Sequence, residues 1–261
     1  MKTLALINLK GGTGKTVSAA NMAHVLATVH RKRVLLVDAD KQGNASRYFH
    51  LYGEQDGTAA LLLGPETADI ATTIYPTQYK GLNVITSNMD LYQADRALYE
   101  DTADVSGMLA AALEGVRDDY DYCVIDNGPA VDMVTLNVMR AADDVLIPIR
   151  PDEFSFSGLL DLVEQVQAVR EDINPELGIA GAFFTHWQNR EAFRQARRSM
   201  EDSGICPVFQ TAINYNPKVS ESTLEETPLC AFAPRSWAAI QYKRRTAEYL
   251  DLTDSSRWEK G

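Results

Sequence analysis

The sequence has few cysteines, no long apolar run and no excess of basic residues. Only three cysteines occur among 261 residues, and none are spaced as C-x-x-C, which argues against a disulfide framework and a cysteine-ligated metal or iron–sulfur site. No apolar run approaches the roughly 18 residues that a membrane helix needs, and no cleavable signal precedes the first predicted strand. The net charge of −11 argues against a globally basic nucleic-acid binder. We therefore expect a soluble cytoplasmic protein that meets nucleic acid, if at all, through a local patch.

Apolar strand-like runs alternate with helical patterns along the chain. Strands are predicted from residue 4 and at 34–37, 81–87, 120–126, 144–149, 178–185 and 207–213, with helices at 18–30, 89–99, 105–116, 131–140, 156–170, 191–203 and 236–250. This alternation predicts an α/β fold with a doubly wound, mainly parallel sheet and helices on both faces. Because the chain is 45% hydrophobic and shows no linker or repeat, we expect residues 1–261 to form a single domain. Residues 45–78 are predicted to be surface structure.

A glycine-rich loop follows the first strand at residues 10–16, Lys-Gly-Gly-Thr-Gly-Lys-Thr. Glycines adopt backbone conformations closed to other residues, so consecutive N–H groups can converge on one anion. The spacing then predicts that Lys15 reaches the β- and γ-phosphates of a nucleotide and that the Thr16 hydroxyl ligates Mg²⁺. An ordinary strand-to-helix turn would not require two lysines and a threonine in this register.

Three carboxylates lie at the ends of predicted strands, where an open parallel sheet binds its ligand. Asp126 closes an apolar strand, as a carboxylate that holds Mg²⁺ does in P-loop enzymes. Asp38 and Asp40 are two residues apart and project to the same side, so either one could contact the metal or the attacking water. The alternative for each is a helix N-cap, and this alternative is strongest for Asp38.

The loop departs from the usual P-loop pattern, because Leu9 replaces the first glycine and Lys10 follows it. This arrangement resembles the deviant Walker A loop of the ParA/MinD superfamily. Residues 38–46 resemble the switch segment of ParA-type partition ATPases, with Lys41 in place of a proline, and residues 126–129 resemble the family's Asp-x-Pro-Pro. Residues 209–227 and 233–236 also match, so the resemblance covers nearly the whole chain and is weakest at residues 50–115.

The resemblance implies an ATPase with ATP and Mg²⁺ as cofactors. It implies that Lys10 reaches the partner's nucleotide in an ATP-bound homodimer, that Lys10, Lys15 and Asp40 are catalytic, and that Thr16, Asp40 and Asp126 bind the metal. The implied nucleotide contacts are Lys10, Gly11, Gly12, Thr13, Gly14, Lys15, Thr16 and Val17, with Asn214 and Pro234 near the adenine base. A ParB-like adaptor, plasmid or chromosome segregation and association with the nucleoid are implied as well.

DNA contacts are predicted on a helix with an arginine-rich face, Arg190, Arg194, Arg197 and Arg198. The resemblance places Arg190 and Lys218 at positions that contact DNA without sequence preference, and we expect Arg190, Arg194 and Lys218 to do so. The alternative is a solvated helix face, balanced by Glu191, Glu201 and Asp202.

Other functions remain open at this point. A membrane-cycling ATPase of the MinD kind would need an amphipathic C-terminal anchor, whereas the residues after Leu250 present no basic apolar face. An iron–sulfur carrier of the same superfamily would need paired cysteines. The sequence does not separate a ParA-like ATPase that positions another cargo from one that segregates a plasmid. A metabolic P-loop kinase or ligase is a further alternative, and Lys10 speaks against it.

Overall fold

The computed structural model describes residues 1–53, 57–64, 68–151 and 155–258. Its strands form one sheet of seven in the order β3-β4-β2-β5-β1-β6-β7. β3 pairs antiparallel with β4 at one edge, and each of the other neighbouring pairs is parallel. The strands are β1 (Lys2–Leu6), β2 (Val34–Ala39), β3 (Ile74–Pro76), β4 (Leu82–Ile85), β5 (Tyr122–Asn127), β6 (Asp144–Ile149) and β7 (Gly178–Phe184).

Helices connect the strands and cover both faces of the sheet. They are α1 (Lys15–Thr28), α2 (Asn44–Arg47), α3 (Thr58–Leu63), α4 (Asp90–Glu100), α5 (Met108–Glu114), α6 (Met133–Ala141), α7 (Ser155–Asp172), α8 (Glu191–Ser203), α9 (Pro217–Leu224), α10 (Leu229–Phe232) and α11 (Trp237–Trp258), with a 3-10 helix at Ile70–Thr73. Among the described helices, none combines the length and apolarity that crossing a bilayer requires.

Alternate residues of each central strand enter two separate cores. Leu4 and Leu6 pack with α1, α10 and α11 on one face, whereas Ala5 and Ile7 pack with α3 to α8 on the other. A strand covered on both faces needs apolar side chains in both directions, which explains the continuous apolar runs in the sequence. The predicted doubly wound α/β fold is confirmed.

The prediction of a strand at residues 207–213 is wrong. Val208 makes one isolated bridge with Ala182, and the next bridge joins Asn214 to Trp187. Between them the backbone N–H of Thr211 donates to the Glu248 carboxylate at 3.1 Å and not to a neighbouring strand. The apolar residues of this segment pack against the core without forming a ladder. The short strand β3 and the helices α9 and α10 were not predicted.

The sheet register brings the functional segments to one edge. Leu6 of β1 is aligned with Asp126 of β5, and Asp126 is aligned with Asp38 of β2. Since these strands are parallel and adjacent, the loops that follow them leave the sheet side by side. The glycine-rich loop and the acidic strand ends therefore meet at the carboxyl edge of the sheet.

Candidate nucleotide and magnesium site

The glycine-rich loop is shaped by left-handed glycines. Gly12 has φ 72° and Gly14 has φ 88°, a region that side chains with a Cβ rarely adopt. Gly14 is the N-cap of α1 and provides no side-chain hydrogen bond to its first turn. The N–H groups at the start of α1 are therefore oriented toward the loop and available to an anion.

Lys15 is buried beneath this loop. Its Nζ donates to the carbonyl oxygens of Asn8 at 2.9 Å and Lys10 at 3.1 Å. Burial lowers the pKa of Lys15, while the nearby carboxylates of Asp126 and Asp40 act to raise it. Because its two hydrogen-bond acceptors are neutral carbonyls, the ammonium charge is not cancelled by an ion pair and is available to a phosphate.

Thr185, the residue after β7, contacts the loop from a distant part of the sequence. The Thr185 hydroxyl donates to the carbonyl of Thr13 at 2.8 Å. A Cβ added to Gly14 would lie 3.5 Å from the Thr185 side chain, so the two segments are in close contact. Thr185 thus fixes the loop conformation, a role that the sequence did not indicate.

Asp126 is a buried carboxylate without a hydrogen bond among the described residues. Both of its oxygens are buried, and neither has a hydrogen-bond partner among the described residues. Burial raises the pKa of Asp126 well above its usual value, the Asp38 carboxylate raises it further, and the nearby Thr16 hydroxyl lowers it. An isolated buried carboxylate is costly, so this arrangement fits a site that a cation completes.

The residues present fit Mg²⁺ bound together with a nucleotide. Mg²⁺ prefers oxygen ligands and is commonly held by one or two carboxylates plus substrate phosphates. The described part of the chain contains no cluster of three or more histidine, cysteine, aspartate or glutamate side chains that could form an all-protein cage. Thr16 and Asp126 would hold the ion, with the remaining ligands supplied by phosphate and water.

The Asp38 carboxylate accepts hydrogen bonds from the segment that follows it in the sequence. Its Oδ2 accepts hydrogen bonds from the backbone and hydroxyl of Ser46, both at 2.7 Å, and its Oδ1 accepts from the backbone of Asp40 at 3.1 Å. Burial raises the pKa of Asp38 to about 6, although the Ser46 hydrogen bonds act in the opposite direction. These bonds favour a structural role for Asp38, the alternative that the sequence left open.

Asp40 lies at the mouth of the site. Its Oδ1 accepts from the backbone of Gln42 at 3.0 Å, and Oδ2 accepts none of the described hydrogen bonds. A Cβ on Gly128 would lie only 3.7 Å from Asp40 Oδ1, so the turn after β5 passes close to this carboxylate. The structure therefore places Asp40 beside the turn that follows Asp126 and β5.

Lys41 is held by two carboxylates. Its Nζ lies 2.7 Å from an oxygen of Asp95 on α4 and 2.7 Å from an oxygen of Asp132, the N-cap of α6. The other oxygen of Asp95 accepts from the backbone of Met133 at 3.0 Å. The segment after β2 is thereby tied to two helices at the position where the resembling family has a proline.

A cavity of about 250 Å³ opens beside the glycine-rich loop. Its walls include Gly12, Val17, His186, Asn214 and Tyr242, and the Tyr242 hydroxyl lies 3.2 Å from Ser18 Oγ. Such a concave, largely apolar space beside a phosphate loop suits a nucleotide base.

The two predicted base contacts are placed differently. Asn214 lies in the cavity wall, and its backbone N–H donates to Gln241 at 2.8 Å. Pro234 is not in the wall, and its carbonyl accepts from Lys243 at 3.1 Å. Both contacts with the base stay predictions.

The basic residues predicted to bind DNA are mostly paired with acids. Arg194 Nη2 lies 2.6 Å from Glu191, and Lys218 pairs with Glu221. Arg190 is exposed at the N-cap of α8.

Arg197 differs from the rest of that face. It pairs with Glu201 at 2.8 Å and donates to the carbonyls of Gln210 and Phe209 at 3.0 and 3.2 Å. It therefore joins α8 to the segment before α9. The pairing on this helix agrees with the alternative of a balanced solvated face.

A strand that leads into a left-handed glycine loop, a helix N-terminus and a magnesium-type carboxylate on the neighbouring strand together define a P-loop nucleoside triphosphatase. The family described as an AAA domain (AAA_31) matches residues 1–179.

Relatives match along nearly the whole length. The chromosome partitioning protein ParA of Caulobacter vibrioides is 34% identical over 253 residues, which cover 96% of this chain and 94% of that protein. The sporulation initiation inhibitor protein Soj of Bacillus subtilis is 31% identical over 256 residues, 96% of each chain. The chain therefore belongs to the ParA family of P-loop ATPases.

A solved structure shares the fold. It is the cobyrinic acid a,c-diamide synthase of Mycobacterium smegmatis with bound ATP analog and magnesium, with a TM-score of 0.83 and 26% identity over 98% of this chain and 97% of that one. The fold alone does not fix a protein's function, which depends on the residues of its site.

Proposed function

We propose that this protein is a Mg²⁺-dependent ATPase switch that segregates a plasmid or chromosome. Two ATP-bound subunits pair face to face, the closed dimer binds DNA without sequence preference, and a ParB-like adaptor triggers hydrolysis. The observation that carries the proposal is the buried Asp126 carboxylate, which has no partner among the described residues and stands beside Lys15 and the glycine loop.

ATP and Mg²⁺ are the cofactors of this site. The loop amides from Gly11 to Thr16 bind the phosphates, and Lys15 exchanges its carbonyl partners for phosphate oxygens. Thr16 and Asp126 hold the metal, which when bound neutralises phosphate charge. The cavity beside Val17 receives the base.

Hydrolysis depends on two further residues. Asp40, whose Oδ2 accepts none of the described hydrogen bonds, orients or activates the attacking water. Lys10 crosses the dimer interface and stabilises the charge that develops on the partner's nucleotide. Because completing the site requires both dimer closure and a stimulating adaptor, turnover without the adaptor is slow.

DNA binding rests on the basic residues of α8 and α9. Arg190, Arg194 and Lys218 supply the phosphate contacts, and a two-fold dimer presents them twice, which multiplies the counterions released. Paired acids reduce this potential in the free protein, so binding is weak until the dimer forms. The protein then associates with the nucleoid in the cytoplasm.

The test measures molar mass in solution and retention on non-specific duplex DNA with ADP and with ATP–Mg²⁺. We expect ATP–Mg²⁺ to produce a dimer that retains DNA in moderate salt. Asp40→Ala should keep the dimer and lose hydrolysis, whereas Lys10→Ala should lose the dimer. Lys80→Ala, which removes the same charge from an exposed turn, is the matched control and should behave as the wild type.

Two outcomes would contradict the proposal. A protein that binds ATP but stays monomeric and ignores DNA is not a partition switch. Hydrolysis that appears only with a small-molecule acceptor would instead identify a kinase or ligase.

A further inference from the structure

His186 occupies an unusual position in the cavity wall. It is the second residue after β7 and has φ 51°, in the left-handed region that few residues other than glycine adopt. Strained residues of this kind persist where the surrounding structure holds them and cluster at ligand sites. The left-handed backbone of His186 therefore makes its ring a candidate for contact with a ligand in the cavity.

The hydrogen bonds of Thr185 fix the tautomer of this ring. Thr185 has a single hydroxyl hydrogen, which it donates to Thr13 O at 2.8 Å, with Ile149 O further away at 3.3 Å. His186 Nδ1 lies 3.2 Å from the same hydroxyl oxygen. Since that oxygen has no hydrogen left to donate, Nδ1 must carry the hydrogen and Thr185 must accept it.

A neutral ring protonated at Nδ1 has its acceptor at Nε2. Burial lowers the pKa of His186, and Arg150 lowers it further, so the ring stays neutral near pH 7. None of the described hydrogen bonds reaches Nε2. The cavity wall therefore contains one side chain with an acceptor whose character is set by the protein.

The side chains of Ser220 and Asn214 are not fixed in this way. The hydroxyl of Ser220 rotates and the amide of Asn214 can turn over, so each can donate or accept as the ligand requires, whereas Thr223 already donates to the Val219 carbonyl at 3.0 Å and bonds the Tyr48 hydroxyl at 2.9 Å. A group that adapts cannot distinguish a donor from an acceptor on a base. A fixed acceptor can, because an opposing carbonyl leaves both groups without a hydrogen bond.

We propose that His186 Nε2 accepts a hydrogen bond from the 6-amino group of adenine and thereby makes the site reject 6-oxo purine nucleotides. Adenine presents an N–H donor at this position, whereas hypoxanthine and guanine present a carbonyl oxygen. The inference rests on the proposed nucleotide function and names the residue that selects the base.

The test compares the dissociation constants of ATP and inosine triphosphate, which differ in the 6-substituent and in the hydrogen on N1, for the wild type and His186→Gly. Glycine tolerates the left-handed backbone and removes the ring. We expect the wild type to bind ATP about tenfold or more tightly than the inosine nucleotide and the variant to bind the two within about threefold. His186→Asn, which also tolerates this backbone but has a rotatable amide, should behave like the glycine variant.

The matched control is His50→Gly. His50 also has a left-handed backbone, with φ 57°, but it lies outside the cavity wall, so the preference for ATP should be unchanged. Nitrogen-15 spectra of labelled histidine give a readout without nucleotide turnover. They should show the Nδ1-protonated tautomer of His186 and a shift of Nε2 when ATP binds but not when the inosine nucleotide binds.

An unchanged preference in both His186 variants would overturn the inference. So would an equal loss of affinity for both nucleotides, or loss of discrimination against 2′-deoxy-ATP alone, which would assign the ring to the sugar. If the wild type bound neither triphosphate, the proposed function itself would fail, and this result is distinguishable from all of those above.

Discussion

The carboxyl edge of the sheet and the outer face of α8 both contain several charged side chains. They differ in whether those side chains are paired with an opposite charge. At the edge, Lys15 contacts neutral carbonyls, and the Asp126 oxygens have no hydrogen-bond partner among the described residues. On α8, Arg194 and Arg197 each have a glutamate oxygen within 3 Å. The first region is buried and incomplete, whereas the second is exposed and already balanced.

This difference indicates which charged side chains are available to bind a ligand. A buried charge without a partner lowers stability, so it persists where a ligand compensates for it. A solvated ion pair on a helix contributes little and can exchange its partner for a phosphate only by losing the glutamate. Residue type alone does not separate these cases, because burial and the nearest opposite charge decide between them.

The strongest test of the comparison substitutes two aspartates that lie in register. Asp126→Asn should reduce Mg²⁺-dependent hydrolysis by at least about 100-fold without lowering the unfolding free energy of the nucleotide-free protein. Asp38→Asn should lower that free energy by about 1–3 kcal/mol, because the new amide cannot accept from Ser46 at every former position. Phosphate release and urea denaturation measure the two effects. Equal losses of stability in both variants would contradict the distinction.

The pH dependence of the unfolding free energy tests the burial of Asp38 at this edge. Burial raises the folded pKa of Asp38 to about 6 from 3.8, so the folded state binds more protons than the unfolded state between these values. The free energy of unfolding of the nucleotide-free protein should therefore fall as pH rises through this window. The slope for one group is at most about 1.4 kcal/mol per pH unit. Denaturant titrations across the window measure it, and a rise with pH that Asp38→Asn leaves unchanged would contradict the assignment.

A substitution of Lys41 tests the contribution of a charge at the carboxyl edge that is paired with two carboxylates. Lys41→Met should lower the unfolding free energy by about 1–2 kcal/mol, because two carboxylates that are largely buried lose their shared cation. A double-mutant cycle with Asp95→Asn should recover part of the loss. Arg96→Met, which removes an exposed ion pair from the same helix, is the control and should leave stability unchanged. An equal effect of both substitutions would show that the Lys41 contacts add nothing beyond a surface pair.

The smallest expected effect concerns α8. Glu191→Gln should release Arg194 and raise the affinity of the ATP-bound protein for non-specific DNA about two- to threefold, with a steeper salt dependence. Glu176→Gln removes the same charge from an exposed site elsewhere and should change the affinity less. Fluorescence anisotropy across a salt series measures both. Identical changes in the two variants would mean that overall charge, and not this ion pair, limits binding.

Much of the fold could be predicted because its signals are local and repeated. β6 at Asp144–Ile149 and α8 at Glu191–Ser203 have the predicted bounds. Glycine spacing and strand-end carboxylates likewise brought the loop, Asp40 and Asp126 to one edge, since parallel strands end there together.

The remainder depends on contacts between distant residues. The run at 207–213 is apolar because it packs on the core, but Thr211 bonds to Glu248, so no strand forms. Arg197 matches a DNA-binding face in sequence, yet it bonds to backbone carbonyls 12 and 13 residues away. His186 Nε2 is an acceptor because Thr185 donates its hydrogen to the Thr13 carbonyl and accepts from Nδ1. Thr13 and Thr185 are 172 residues apart, so no local sequence pattern predicts this hydrogen bond.

The cavity beside the loop has a consequence for synthesis of the chain. One wall contains Gly12 and another contains Tyr242, whose hydroxyl lies 3.2 Å from Ser18 Oγ. The glycine loop leaves the ribosome early, whereas α11 emerges much later. A nascent chain that still lacks α11 therefore has no Tyr242 in the wall of this cavity.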